Sequence, residues 1–257
     1  MATRISIAAR KGGVGKTTAT IEIATNLKLI GKKVLVVDFD PQGDTTRSIA
    51  ADDSASNIFQ AMNAEVHPSE CIQETEYFDL ITSSKSLNKV SKLFTERDDV
   101  FLLDEVLKLV EENYDYIIID NNPDVGDLFI MSMVAADYII IPTLADRNSM
   151  SSVDETEEIL QGLTSGRIPI SHAKVFGYIL SRKKRASMHT YALEQLEELS
   201  NEKEYKPFVK CVTDGVKIDE VKLMQKPISV VQKGSAQARE YYEIAQEIIN
   251  RIEKEAV

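Results

Sequence analysis

The stretch Lys11-Gly12-Gly13-Val14-Gly15-Lys16-Thr17-Thr18 decides how the chain is read. It follows the apolar run Ile5-Ser6-Ile7-Ala8-Ala9 and precedes a pattern in which Ile21, Ala24, Leu27 and Ile30 recur at three-residue steps. The spacing predicts a strand, a glycine-rich turn and a helix, which is the setting of a phosphate-binding loop. Against G-x-x-x-x-G-K-[ST] the fit is a variant. Arg10 or its neighbours hold the first glycine's place, and Lys11 is added just upstream of the double glycine.

Each residue type in the loop answers a chemical need. Glycines at 12, 13 and 15 remove the Cβ atoms that would keep backbone N–H groups from closing around phosphate oxygens, and the positive end of the next helix adds attraction. Lys16 supplies a point charge to the β and γ phosphates of ATP, and the Thr17 hydroxyl can ligate Mg²⁺. Val14 and Thr18 complete the loop. Lys11 lies on the wrong side of the loop to duplicate Lys16, so it is expected to reach phosphates held by a second subunit. The plain alternative is a glycine-rich turn with two solvated lysines; the flanking strand and helix and the closing Lys-Thr-Thr speak against it.

Two acidic landmarks follow. Val34-Leu35-Val36-Val37 is a continuous apolar, Val-rich run of the kind covered on both faces in a parallel sheet, which places Asp38 and Asp40 at the C-terminal edge where ligands of open α/β sheets bind. Tyr114-Asp115-Tyr116-Ile117-Ile118-Ile119-Asp120 is a buried strand ending in an acid, and Asp120 at its tip is expected to hold Mg²⁺ through a water. Further strands are read at 78–82, 136–142, 175–180 and 208–212. Helices are read at 57–62, from Ser83-Ser84 through Leu93, and at 100–112, 149–163, 192–201 and 235–255, with connection over the rest of 44–75. The alternation predicts an α/β P-loop NTPase: a doubly wound, mostly parallel sheet with helices on both faces, one domain over 1–257.

Lys11 to Thr18, taken with Val37-Asp38-Phe39-Asp40-Pro41-Gln42-Gly43, resembles the ParA/Soj family of DNA-partition ATPases, part of the wider group that includes MinD and the nitrogenase iron protein. The Asp-Pro-Gln-Gly tail is the more discriminating half, because MinD-like chains share the loop without it. The resemblance implies that Asp40 orients the attacking water, with Lys11 and Lys16 completing the catalytic set, and that Asp38 lies closer to the Mg²⁺ shell. It also implies an ATP-bound homodimer on nonspecific DNA, released when a ParB-like centromere-binding partner stimulates slow hydrolysis, in a cytoplasmic, nucleoid-associated protein. Two departures stand out. Where the family reads Cys-Pro-Pro-Ser after the second acidic strand, this chain has Asn121-Asn122-Pro123-Asp124, and Asp124 would repel phosphates. Where relatives show Pro-Arg-Asn after the last strand, it has Thr213-Asp214-Gly215, so no adenine contacts carry over.

Composition bounds the rest. With 257 residues and 43% apolar content the chain can bury a large core. No apolar run long enough to span a bilayer and no charged-then-apolar leader is present, which predicts neither membrane span nor secretion. Cys71 and Cys211 are lone thiols without metal-binding spacing, which argues against zinc and against an iron–sulfur cluster. His189 is expected on a helix surface. The final helix carries more glutamate than cation, so an anionic membrane would not attract it, and it is expected to pack on the sheet.

The net charge of −11 disfavours nucleic acid as a sum, yet Lys174 to Arg239 holds 13 Lys/Arg against 8 Asp/Glu. Within it, Arg182-Lys183-Lys184-Arg185 follows a strand, near where the family places its DNA-binding arginines, and Lys217, Lys222, Lys226 and Lys233 spread charge beyond. Clustered cations of this kind displace counterions from a duplex and give salt-sensitive, sequence-independent affinity; a solvated charged loop is the plain alternative. Two other readings compete: a MinD-like positioning or regulatory switch that acts on a protein partner without DNA, and a metabolic enzyme activating a small substrate, which the Asp-Pro-Gln-Gly tail disfavours.

Overall fold

A computed structural model describes residues 1–124, 126–215 and 223–255. Eight strands form one sheet in the order β3-β4-β2-β5-β1-β6-β7-β8. They are β1 (Thr3–Ile7), β2 (Val34–Phe39), β3 (Ile72–Glu74), β4 (Asp79–Ile81), β5 (Tyr116–Asn121), β6 (Tyr138–Thr143), β7 (Lys174–Lys183) and β8 (Phe208–Thr213). Every pairing is parallel except β3 with β4. The helices are α1 (Lys16–Leu29), α2 (Asp44–Ser48), α3 (Ile58–Met62), α4 (Val90–Leu93), α5 (Leu102–Lys108), α6 (Asp127–Val134), α7 (Arg147–Thr164), α8 (Ser187–Asn201), a single turn at Ile228–Val231 and a C-terminal helix, Ala236–Glu255.

Strand residues alternate between the two faces, and the core divides accordingly. Ile5, Ile7, Val34, Val36 and Ile118 pack with α1 and with Tyr241, Ile244, Ala245 and Ile248 of the C-terminal helix. Leu35, Val37, Ile117 and Ile119 face α3, α5 and α6, while Ile139, Ile141, Tyr178 and Leu180 face α7 and α8. Helix α1 is buried on nearly every side because the sheet lies beneath it and the C-terminal helix covers it. Glu22 fixes that cover. Its buried carboxylate accepts from the backbone N–H groups of Ile228 (2.6 Å) and Ser229 (3.1 Å) and from the Ser229 hydroxyl (2.6 Å).

The doubly wound sheet is the one the strand–helix alternation predicts, with local differences. The stretch read as connection contains α2 and the edge strand β3, too short to show a period. The helix expected after Ser84 is a 3₁₀ turn followed by the single turn of α4, and that expected over 100–112 narrows to α5 with 3₁₀ turns at either end. Helix α6 lacks the polar face that a surface helix shows, because Leu128 and Met131 fill one core cluster and Phe129 and Met133 another. Helix α8 begins at Ser187, and β7 runs on to Lys183, so the cationic run starts inside the strand. The C-terminal helix packs on α1 and β8 as well as above the sheet, and its Tyr242 is 43% exposed. No described helix is long and apolar enough to cross a membrane.

Candidate active site

The loop between β1 and α1 turns on glycines where side chains would be strained. Gly15, at φ +99°, immediately precedes α1, and a Cβ there would meet the Ser181 hydroxyl at 3.2 Å. Lys16 and Thr17 therefore begin the helix at the loop mouth, with the helix's unpaired N–H groups. The Asp-Pro-Gln-Gly turn works similarly: Gly43, at φ +65°, donates its N–H to the Asp40 carbonyl at 2.8 Å and starts α2. The two turns face a cavity of about 420 Å³ lined by Gly12, Gly13, Gly15, Lys16, Thr17, Thr18 and Asp40.

Behind its floor lie the strand-tip acids. Register sets Asp38 directly beside Asp120 on the adjacent strand, and both are buried. Asp38 accepts from the Thr46 N–H (2.8 Å) and hydroxyl (2.7 Å), and Asp120 from the hydroxyls of Thr45 (2.7 Å) and Thr20 (3.3 Å). Burial, then the Asp120 charge, pushes Asp38 up to about 7. Burial pushes Asp120 up to about 6, against the bond from Thr45 and the charge of Lys16. Two desolvated carboxylates side by side are costly without a cation. A divalent ion at the Thr17 hydroxyl would reverse that cost. Among the described residues no group of three or more His, Cys, Asp or Glu is arranged to hold a metal. The residues thus fit Mg²⁺ of the kind held mainly by phosphate oxygens and water, with Thr17 as ligand and Asp38 and Asp120 behind it.

The two lysines of the loop part company. Lys16 is 7% exposed, lines the cavity and donates to the Lys11 carbonyl at 3.3 Å. Burial pulls its ammonium below the ordinary range, opposed by Asp120, Asp40 and Asp124. Lys11 does not line the cavity. Its ammonium is folded onto its own chain, 2.8 Å from Asp146 Oδ1 and 2.8 Å from the Ser149 hydroxyl, at the start of α7. Burial works against ionisation of Asp146, but the bonds from Lys11 and Ser149 prevail and hold it at about 2. Val14 points into the core at 1% exposure.

Asp40 Oδ1 accepts from the Gln42 N–H at 2.9 Å, and no described residue donates to its other oxygen. A carboxylate so placed on the cavity wall can take a hydrogen bond from water. Burial raises its pKa against the Gln42 bond and the Lys16 charge, with Asp44 and, less, Asp124 adding to the rise. Asp124 is exposed, and its charge is a small influence on both Asp40 and Lys16.

The cationic run divides. Arg182 adopts φ +53° at an irregularity between β7 and β8 and lines the cavity beside Ser181, Val212 and Tyr241. Lys183 lies in register with Thr213 of β8, and Lys184 pairs with Asp214 at 3.3 Å. Arg185 is exposed and makes no ion pair among the described residues. Lys226 and Lys233 are exposed; Lys217 and Lys222 lie outside the described residues. Thr213-Asp214-Gly215 is tied to the C-terminal helix: Thr213 donates to Glu240 through its N–H (2.8 Å) and hydroxyl (2.5 Å), and Gln237 donates to the Thr213 carbonyl at 3.2 Å.

Sequence reasoning missed the threonine cage and Ser181. Thr45-Thr46 opens α2 as Thr17-Thr18 opens α1, a likeness that would have pointed to it. The Ser181 hydroxyl is buried at the cavity wall without a partner among the described residues and left no sequence signal.

Residues 2–165 match the family described as AAA domain. The chain is 30% identical over 263 residues to an uncharacterised protein, MJECL24, of Methanocaldococcus jannaschii, covering 96% of this chain and 98% of that one. It is 27% identical to the chromosome-partitioning ATPase Soj of Treponema pallidum, over 94% of this chain and 95% of Soj. Among solved structures, a putative plasmid partition protein of Borrelia burgdorferi B31 bound to AMPPNP superposes with a TM-score of 0.79 at 25% identity, covering 97% and 99% of the two chains.

Proposed function

Because the chain belongs to the AAA domain family, in its ParA/Soj branch, we propose that it is an ATP-hydrolysing switch for DNA partition that binds nonspecific DNA as an ATP-bound dimer. The observation that carries this reading is the joining of Lys16, Thr17 and Asp40 around one cavity with the buried Asp38–Asp120 pair behind it.

Lys16 and the loop N–H groups bind the β and γ phosphates, and the first turn of α1 orients them. Mg²⁺, when bound, neutralises phosphate charge. Asp40 holds the attacking water through its open oxygen. Ser181 and Arg182 line the same cavity, and in this reading they touch the nucleotide beyond the phosphates, with Arg182 serving there instead of on DNA.

Lys11 must leave Asp146 to reach a second subunit's phosphate. An exposed pair of this type contributes at most ~1 kcal/mol, so the γ-phosphate charge of a facing subunit is enough to draw it away. Dimerisation then doubles the exposed cations, of which Lys184, Arg185, Lys226 and Lys233 are the described candidates. Release follows hydrolysis stimulated by a centromere-bound partner protein.

The test is a salt-titrated gel shift with random-sequence duplex in ATP and in ADP. Binding is expected in ATP only, to weaken steeply with salt, and to be lost in Lys16→Gln. Nucleotide-dependent binding that persists in Lys16→Gln would overturn the assignment. No binding in any nucleotide would favour a switch that acts on protein alone.

A further inference from the structure

Two neighbouring apolar side chains, Leu223 and Met224, stand 89% and 57% exposed. They open a stretch, Leu223 to Ser235, that carries Lys226 and Lys233 and no acid, in a chain whose net charge is −11. Both lysines are exposed, whereas Pro227, Ile228 and Ser229 are buried. The buried residues form a root, and it is fastened at two points. Gln225, at the left-handed φ of +54°, donates its side-chain N–H to the Arg47 carbonyl of α2 at 2.8 Å. Glu22 holds Ile228 and Ser229 to α1, and Asn26, one turn further along, donates to the Ser229 hydroxyl at 2.7 Å. A left-handed glutamine is strained unless its surroundings fix it, and the Arg47 bond does so. Both fastenings end on helices that line the nucleotide cavity, α1 through Lys16, Thr17 and Thr18 and α2 through Asp44 and Ser48. Leu223 and Met224 are therefore displayed by the nucleotide-binding elements themselves.

The chemistry of the stretch selects the occupant. Lysines without acids favour a polyanion. Two side chains bury too little apolar surface to hold the chain on a bilayer, where even a whole acyl chain binds only marginally, and too little to sustain a dimer. They suffice to add to a contact that cations already make, and leucine and methionine are among the side chains that enter the minor groove against base steps. We propose that Leu223 and Met224 form an apolar, salt-insensitive contact with duplex DNA beside Lys226, presented through Gln225 and Glu22 according to the nucleotide bound. The proposal rests on the partition reading for the duplex and adds to it the part of the affinity that counterion release does not supply.

The test measures binding of the full chain in ATP to a dye-labelled random-sequence duplex, by fluorescence anisotropy across a salt series. Leu223→Ser with Met224→Ser should weaken binding about tenfold at every salt concentration and leave the slope of log affinity against log salt unchanged, whereas Lys226→Ala should lower that slope by about one ion. Leu109→Ser with Ile168→Ser, the same change at positions 60% and 75% exposed elsewhere, should stay within about twofold. Gln225→Ala should narrow the ratio of affinities in ATP and ADP by about threefold or more. Affinity unmoved by the serine pair, a slope that falls with it, or an equal loss in the control pair would overturn the apolar contact. An unchanged ratio in Gln225→Ala would overturn its coupling to nucleotide. Loss of the ATP dimer in the serine pair, seen by light scattering, would give the face to a second copy, and binding to phosphatidylserine vesicles that the serine pair abolishes would give it to a bilayer; either outcome overturns the proposal. A natural chain that binds no duplex ends the partition reading as well, whereas one that binds no better than the serine pair ends this proposal alone.

Discussion

At the tips of β1, β2 and β5 the charged groups are buried and held, whereas at the tips of β7 and β8 most stand in water. Asp38 and Asp120 are fixed by threonine hydroxyls and Lys16 is wrapped by the loop, but Lys184 meets one half-exposed acid and Arg185 meets none among the described residues. In the first region burial makes each misplaced charge costly, so sequence dictates geometry. In the second region solvent screens the cost and many arrangements serve equally well. A short motif therefore states a position at one end of the sheet edge and only a tendency at the other.

Perturbing charges along this gradient, from buried to solvated, tests the contrast. The largest effect is expected at Glu22, which burial raises to about 6 against its bonds with Ser229 and Ile228. An acid whose folded pKa lies above its unfolded value binds the proton more tightly when folded, so its contribution to stability falls as pH rises from 4.5 to about 6. Denaturation of Glu22→Gln and of the natural chain across that window should differ by on the order of 2 kcal/mol between its ends. Parallel curves would show that the carboxylate is not confined as described.

Asp146, half-exposed, comes next. Asparagine caps a helix as well as aspartate does, so Asp146→Asn keeps the start of α7 and removes only the charge that holds Lys11. Freed of a pair contributing at most ~1 kcal/mol, the variant should form about two to five times more dimer in ATP by sedimentation. Less dimer would mean that the pair supports the nucleotide-bound form. Because Asp146 is held at about 2, the pair persists above the ordinary carboxylate range and is lost only as pH falls toward that value.

The smallest effect belongs to the solvated cations. Arg185→Ala and Lys184→Ala should each lower the salt dependence of duplex binding by about one ion and weaken all sequences alike. A larger loss for Lys184 than for Arg185 would show that its Asp214 pair orders the edge and is more than screening.

What was legible in the sequence follows the same division. The sheet and its acidic tips were readable because runs such as Ile117-Ile118-Ile119-Asp120 allow one arrangement in a parallel sheet. Helix α6 was not, since its apolar character all round conceals its period, and β3 is three residues on an edge. Within the site, the glycines, Lys16 and the strand-tip aspartates could be placed from their spacing. The tethering of Lys11 could not, because Asp146 lies 135 positions away and a lysine on a loop can turn either way. Arg182 reads as one of four equal cations, since nothing in Ser-Arg-Lys-Lys-Arg announces a left-handed residue.

The polarity of the sheet carries a practical consequence. The candidate site gathers on the rim where β1, β2, β5 and β7 end, so the opposite rim, around the exposed 165–169 turn, is a place for handles. The native thiols interfere little with such work: Cys71 is buried, and burial pushes it up to about 11, while Cys211 is only partly accessible. A cysteine introduced at Ser165, which is exposed just past the end of α7, would accept a fluorophore or a surface tether with the nucleotide mouth facing away, letting single molecules be watched as they assemble and let go.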